Sequence, residues 1–235
     1  MSRKGLALDY FAGGVPAGMM LKMKISDLRE IVDASLETDG INTTAEVCLI
    51  GLVAYFESFC KDLFSSIINV CPHILSVFIE KRQTVSLDVK YIINLGYDVQ
   101  SNLGFLLSEK YDFGSTKEIN TLFMDLINIS PISRDEERKF VTLLNDRNLL
   151  VHHGGVYTLK SKSELFMTRS IKNRVFYDSL VISKKRFKEW SDFIEYIAKK
   201  MCGVSYKALS AFIARENIAL DNEMKKAVNY IKEYS

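Results

Sequence analysis

Apolar residues recur every three to four positions over most of this chain, and only three prolines interrupt the pattern. Such spacing is typical of amphipathic helices, because residues three and four apart lie on the same face. Proline breaks helices, so its scarcity favours long ones. The pattern predicts an all-α protein with helices at about residues 26–37, 43–70, 73–81, 86–95, 101–110, 116–128, 133–153, 183–203, 205–216 and 221–234.

Three segments depart from this helical pattern. The glycine-rich stretch GGVPAG, residues 13–18, predicts a flexible N-terminal tail. The stretches GVYTLK and RVFYDSLVIS have β-type composition and predict a short β-hairpin after the helix 133–153. Gly203 is expected to end a long amphipathic helix. The predicted organisation is therefore a tail at 1–25, a helical bundle at 26–203 and a helical extension at 204–235.

Charge and composition narrow the class of protein. The 31 basic and 29 acidic residues give a net charge of +2. The overall charge is therefore no reason to expect a nucleic-acid or membrane partner. The longest uncharged apolar run, residues 47–56, is far shorter than the roughly 20 residues that cross a membrane. The four cysteines form no CxxC pair and are expected to be reduced. We expect a cytoplasmic protein without a secretory signal or membrane segment.

Candidate chemistry is concentrated in the stretch NDRNLLVHHGG, residues 145–155, which holds two of the three histidines. Ser133 and Glu136 form a capping-box pattern, and the two glycines provide a stop, so this stretch is expected to be the last two turns of one helix. On a helical wheel Arg147 falls within the apolar stripe. Asn148 and His152, four residues apart, share one edge of that stripe.

One further charge lies on an apolar face. Glu57 falls within the apolar stripe of the predicted helix 43–70. Because a lone buried charge costs several kcal/mol, we expect Glu57 and Arg147 to meet across a contact between the two helices. One interpretation is a purely structural ion pair. The other is an anion site: Arg147 would hold a phosphate while His152 transfers a proton to or from a ribose 2′-hydroxyl or a leaving oxygen. No cofactor is implied, and no cluster with metal-ligand spacing is present in the sequence.

The motif resembles that of the HEPN superfamily, in which a polar residue follows an arginine and a gap of four to six residues separates the arginine from a histidine. Glu57 resembles an acidic residue found earlier in several HEPN groups. The resemblance implies a small helical bundle, a homodimer and metal-independent endoribonuclease activity on RNA, often in toxins or antiviral defence. It also implies that Arg147 and His152 are catalytic, that Asn148 supports them and that Glu57 orients Arg147. His153 also satisfies the spacing, so either imidazole is a candidate.

The resemblance is incomplete in one respect. Toxins of this superfamily that pair with a nucleotidyltransferase carry a tyrosine two residues after the histidine, where this chain has Gly154. An antitoxin or defence-system partner remains an expectation, but a tyrosine-modifying one is disfavoured. A different class of function also stays open: a non-catalytic HEPN-like module that binds RNA or protein and serves for dimerisation.

A basic segment follows the motif. Residues 160–188 contain nine lysines and arginines against two acidic residues. Such a segment either contacts a phosphate backbone or is simply a solvated charged face. The first interpretation predicts RNA binding by Lys160, Lys162, Arg169, Lys172 and Arg174.

Overall fold

The computed structural model describes residues 5–38, 40–82, 90, 93, 99–157 and 179–234. Within these ranges the chain forms eight α-helices and no strand, which confirms the all-α prediction. Two short 3-10 helices, Ala7–Tyr10 and Ala12–Gly14, precede them. The α-helices are α1 Ala17–Ala34, α2 Thr43–Val70, α3 Ile74–Lys81, α4 Val99–Ser108, α5 Thr116–Ile127, α6 Arg134–His153, α7 Lys184–Arg215 and α8 Asn222–Lys232.

Helix α2 forms the centre of the bundle. The Asn42 side chain caps it by accepting a hydrogen bond from the Ala45 N–H at 2.9 Å. Every residue from Leu63 to Val70 is buried, so the last two turns of the helix are covered on all sides. Helices α1, α4, α6, α7 and α8 pack around it. Although α2 has 28 residues, none of the described helices combines the length and the hydropathy that a membrane span requires.

A single glycine sets the distance between α2 and α4. A Cβ atom on Gly104 would lie 2.0 Å from the Ser65 carbonyl oxygen. The Gly104 N–H also donates to the buried Asn69 side chain at 2.7 Å. Only glycine permits this approach, which brings α4 against the most deeply buried part of α2.

The N-terminal region differs from the prediction of a flexible tail over 1–25. From Gly5 onward it is ordered in 3-10 turns and in α1, which begins at Ala17 and not near residue 26. Gly13 has φ +63°, as a tight turn requires, and a Cβ on Gly18 would lie 3.0 Å from the Cys202 Sγ. These glycines therefore permit a turn and a close helix contact, functions that composition alone does not distinguish from flexibility.

The predicted helix end at Gly203 is also wrong. Helix α7 runs without interruption through Gly203 to Arg215. Gly203 is less favourable than alanine in a helix by about 1 kcal/mol. The buried side chains of Met201, Cys202, Ser205 and Leu209 continue the same packed face and outweigh this preference. The proposed limits at residues 25 and 203 thus each fall inside a helix.

The predicted hairpin after α6 is only partly within the described residues. An isolated antiparallel bridge joins Val156 to Ser179, and the Leu180 N–H donates to the Gly155 carbonyl oxygen at 2.7 Å. Residues 158–178, which would form the rest of the hairpin, lie outside the described residues, as does most of the predicted helix 86–95.

Candidate functional site

Helix α6 carries the candidate site, and both of its ends match the sequence prediction. At its start the Ser133 hydroxyl accepts from the Glu136 N–H, and the Ser133 N–H donates to the Glu136 carboxylate at 2.6 Å. At its end Gly154 adopts a left-handed conformation with φ +56°, and the Gly155 N–H donates to the Leu149 carbonyl oxygen. The motif therefore occupies the last two turns, directly before a chain reversal.

Successive residues in these turns face different parts of the molecule, since each is rotated by about 100° from the last. The side toward α2 is marked by Phe140, about two turns before Arg147. The Phe140 ring centroid lies 5.2 Å from that of Phe56. Asp146 points to α7 and forms an ion pair with Arg186 there. Asn148 and His152 are exposed on the third side. The site lies where a helix buried on two sides presents its third side to solvent.

Glu57 and Arg147 are both half-buried where α2 packs against α6. Burial raises the pKa of the Glu57 carboxyl, the charge of Arg147 lowers it, and Asp112 adds a further increase. The first effect dominates, so the pKa is higher than that of an ordinary glutamate. No ion pair joins Glu57 to Arg147. The two charges therefore interact at longer range than the direct contact that the sequence predicted.

Arg147 leaves part of its hydrogen-bonding capacity unused. Its Nη1 donates to the Asn148 side-chain oxygen at 3.0 Å. Its Nε is buried, and no residue that the structure describes accepts a hydrogen bond from it. A buried N–H without an acceptor is unfavourable by about 1–3 kcal/mol, and the cost is larger for a charged group. An acceptor oxygen that reaches this N–H, after a movement of the side chain or of its neighbours, would remove the cost.

The two imidazoles follow Arg147 on the same helix, five and six residues further along, in its last turn. His152 and His153 are both exposed, and their ring centroids are 6.5 Å apart with the rings inclined at 68°. Both therefore remain available to a ligand, and the geometry does not single out one of them.

Asp146 is a member of this region that the sequence analysis missed. It is only 8% exposed, and its carboxylate accepts a hydrogen bond from the Arg186 guanidinium at 2.7 Å. Burial raises the pKa of the Asp146 carboxyl, while Arg186 opposes the shift. A signal was present in the sequence: Asp146 shares a helical face with Leu143 and Leu150, at spacings of three and four.

The predicted RNA-binding residues Lys160, Lys162, Arg169, Lys172 and Arg174 lie outside the described residues. The bridge at Val156 and Ser179 shows where that segment leaves and rejoins the described part, immediately after α6. Among described residues no group of three or more His, Cys, Asp or Glu side chains is arranged to hold a metal ion.

A shallow, open depression of about 520 Å³ lies elsewhere on α6, lined by Arg134, Glu137, Arg138 and Val141. Val141 precedes His152 by 11 residues, or about three turns. The depression is therefore separate from the motif.

Comparison of the chain with models of known protein families, with curated proteins and with solved structures produced no match.

Proposed function

We propose that the C-terminal turns of α6 form the active site of a HEPN-type endoribonuclease that needs no metal. One observation carries this proposal: the Arg147 guanidinium, whose buried Nε has no acceptor among the described residues, precedes two exposed imidazoles by five and six residues on the same helix. A guanidinium with one N–H still unpaired, on the same helix end as two exposed imidazoles, suits an in-line displacement at a phosphodiester.

In the proposed reaction the ribose 2′-oxygen attacks phosphorus and the bond from phosphorus to the 5′-oxygen breaks. One imidazole removes the 2′-hydroxyl proton, and an imidazolium or water supplies the proton that the 5′-oxygen needs. The products are a 2′,3′-cyclic phosphate and a 5′-hydroxyl, so atoms and charges balance without an added reagent. Arg147 stabilises the negative charge that develops on the phosphoryl oxygens.

The neighbouring polar groups have supporting roles in this proposal. Asn148 holds the guanidinium through the 3.0 Å hydrogen bond to Nη1. Glu57 acts on Arg147 through its charge and limits the positions that the guanidinium takes up. His153 is the second proton-transfer candidate, because its ring lies next to that of His152.

The wider assembly belongs to the proposal as well. RNA is the substrate, a homodimer would bring two motifs to one cleft, and a toxin or antiviral-defence role would add an antitoxin or defence-system partner. The basic residues between 160 and 174 would contact the RNA backbone, because their segment leaves and rejoins the described chain beside the motif.

The direct test incubates the purified full chain with RNA in excess EDTA. We expect cleavage by the wild type, and loss of activity in the double variant His152→Ala/His153→Ala. His73→Ala is the matched control, because His73 lies at the start of α3, outside α6. Undiminished cleavage by the double variant, or dependence on a divalent metal, would contradict the proposal.

A second function is favoured by the burial of Arg147 beside Glu57, since a half-buried charge near a carboxylate also fits a structural role. In that case α6 would belong to a module that binds RNA or protein without cleaving it. The histidine double variant would then bind RNA as tightly as the wild type, and neither protein would produce new RNA ends.

A further inference from the structure

We infer that Asp146 and Arg186 are a positioning pair that fixes the orientation of the motif turns, an inference that rests on the proposed function. Neither residue belongs to the Arg-Asn-x3-His motif. Asp146 directly precedes Arg147 on α6, and Arg186 lies in the first turn of α7. Their contact is a hydrogen-bonded ion pair of 2.7 Å.

The pair occupies an asymmetric environment. The Asp146 side chain is 11% exposed, whereas that of Arg186 is 37% exposed. Arg186 can therefore be hydrated without its partner, but Asp146 would be left as a nearly buried carboxylate with only the Trp190 indole N–H near it. Such a group either takes up a proton or moves toward water. Removal of Arg186 thus perturbs α6 at the residue next to Arg147.

Helix α6 depends on side chains for its attachment to α7. Its backbone packs closely on α2 and α5, while α7 is reached mainly through long side chains. Four such contacts are present in the described structure: Glu136 to Lys200 at 2.6 Å, Lys139 above the rings of Trp190 and Phe193 at 5.9 and 4.5 Å, and Asp146 to Arg186 at 2.7 Å. Only the last of these lies in the turns that carry the motif.

The consequence for the site follows from helix geometry. Asp146 and Arg147 project about 100° apart, so fixing one side chain toward α7 fixes the direction in which the other meets α2. The same rotation sets where Asn148 and His152 reach solvent. An error of about 1 Å in the placement of a reacting group lowers a rate by roughly 10²-fold. Asp146 and Arg186 would act through this placement and not by touching RNA.

The experiment compares two ion pairs that join the same two helices. Arg186→Ala removes the pair at the motif, and Lys200→Ala removes the pair at the other end of α6. Amide hydrogen exchange of the full chain without RNA is measured first, followed by kcat and KM for RNA cleavage.

We expect Arg186→Ala to speed exchange in residues 146–153 at least tenfold and to lower kcat at least tenfold, with KM changed less than twofold. Lys200→Ala should leave both the exchange of 146–153 and kcat within twofold of the wild type.

Rescue separates positioning from general stability. Arg186→Lys retains the charge and should restore at least half of the wild-type kcat. If Arg186→Ala does not fold, Arg186→Gln takes its place with the same expected values. A folded variant with unchanged exchange at 146–153 and unchanged kcat would overturn the inference, as would equal effects of the Arg186 and Lys200 substitutions.

The two proposals fail in different ways. If the wild type cleaves no RNA, the proposed function is lost, but the exchange measurement still decides whether Arg186 orders the motif turns. If cleavage is present and Arg186→Ala changes neither measurement, the positioning role alone is lost.

Discussion

The two ends of helix α6 use their charged residues differently. Near the N-terminal end Glu136 is held by the Ser133 N–H and by Lys200, both at 2.6 Å, and Arg138 pairs with Asp135 at 3.4 Å. Near the C-terminal end the Arg147 Nε has no acceptor within the described ranges of the chain. Neither histidine ring there is hydrogen-bonded to a residue that the structure describes.

This contrast separates charged groups whose polar atoms are paired from those that keep an unpaired atom; Asp146, which pairs with Arg186, is the exception at the C-terminal end. The helix, its solvent and its partner helix α7 are the same at both ends, so the difference lies in the side chains themselves. Polar groups that serve stability find partners in a folded protein. Groups that remain without partners, on the same helix, are the better candidates for binding and chemistry.

The largest difference should appear when one arginine at each end is replaced by methionine. Arg147→Met keeps the apolar stem but removes the charge, so we expect kcat/KM for RNA to fall by about 10²- to 10³-fold. The free energy of unfolding should change by less than about 1 kcal/mol, because the unsatisfied Nε is removed too. The control Arg138→Met should keep wild-type activity. The measurements are kcat/KM for RNA cleavage and the free energy of unfolding in urea, for both variants. Equal kcat/KM values for Arg147→Met and Arg138→Met would contradict a functional difference between the two ends of α6.

At the N-terminal end we expect a substitution to lower the stability of the fold and to leave RNA cleavage unchanged. Burial alone would raise the pKa of the Glu136 carboxyl, but hydrogen bonds from Lys200 and Ser133 more than offset this and lower it to about 2. Lys200→Ala should therefore lower the free energy of unfolding by about 1–2 kcal/mol at pH 7. For a chain of this length that is a decrease in Tm of about 3–6 °C.

The same variant has a defined pH dependence. Because the folded-state pKa of Glu136 lies below its ordinary value of 4.5, the stability from its partners is present above about pH 5 and is lost as the pH falls toward 2. Urea unfolding from pH 7 to pH 2 should show the wild type and Lys200→Ala converging. A constant difference over that range would show that Lys200 does not act through Glu136.

The smallest effect on stability is expected at Glu57. Its raised pKa means that folding favours the protonated carboxyl, so this contribution is present at low pH and is lost as the pH rises through the folded-state pKa. At pH 7 Glu57→Gln should consequently be as stable as the wild type, or more stable by no more than about 1 kcal/mol. Glu46→Gln is the control, because burial also raises the pKa of Glu46. Only the change at Glu57 should slow RNA cleavage, and a marked loss of stability in Glu57→Gln would show that its charge supports the fold.

Local signals predicted much of the fold. The limits of α6 followed from the Ser133 capping box and the Gly154 stop, and α2 from Thr43 and Pro72, because caps and breakers act over a few residues. The start of α1 and the length of α7 did not follow. Gly18 is required by a contact with Cys202, and Gly203 is tolerated because neighbouring side chains are buried, so both depend on tertiary packing.

The candidate site shows the same division. Arg147, Asn148 and His152 were found because their spacing places them on one helix end. Asp146 was missed because an aspartate next to an arginine resembles ordinary surface charge. Its partner Arg186 is 40 positions further along the chain. Its spacing from Leu143 and Leu150 was the local signal, but only the fold shows which cation meets it.

The chemical nature of the RNA ends tests the central claim most directly. RNA is digested by the full chain in EDTA, and the fragments are analysed by mass spectrometry. Proton transfer by the imidazoles of α6 predicts 2′,3′-cyclic phosphate and 5′-hydroxyl ends, formed by the wild type and absent with His152→Ala/His153→Ala. Fragments with 5′-phosphate and 3′-hydroxyl ends, or cyclic phosphates that the double variant produces equally well, would contradict it.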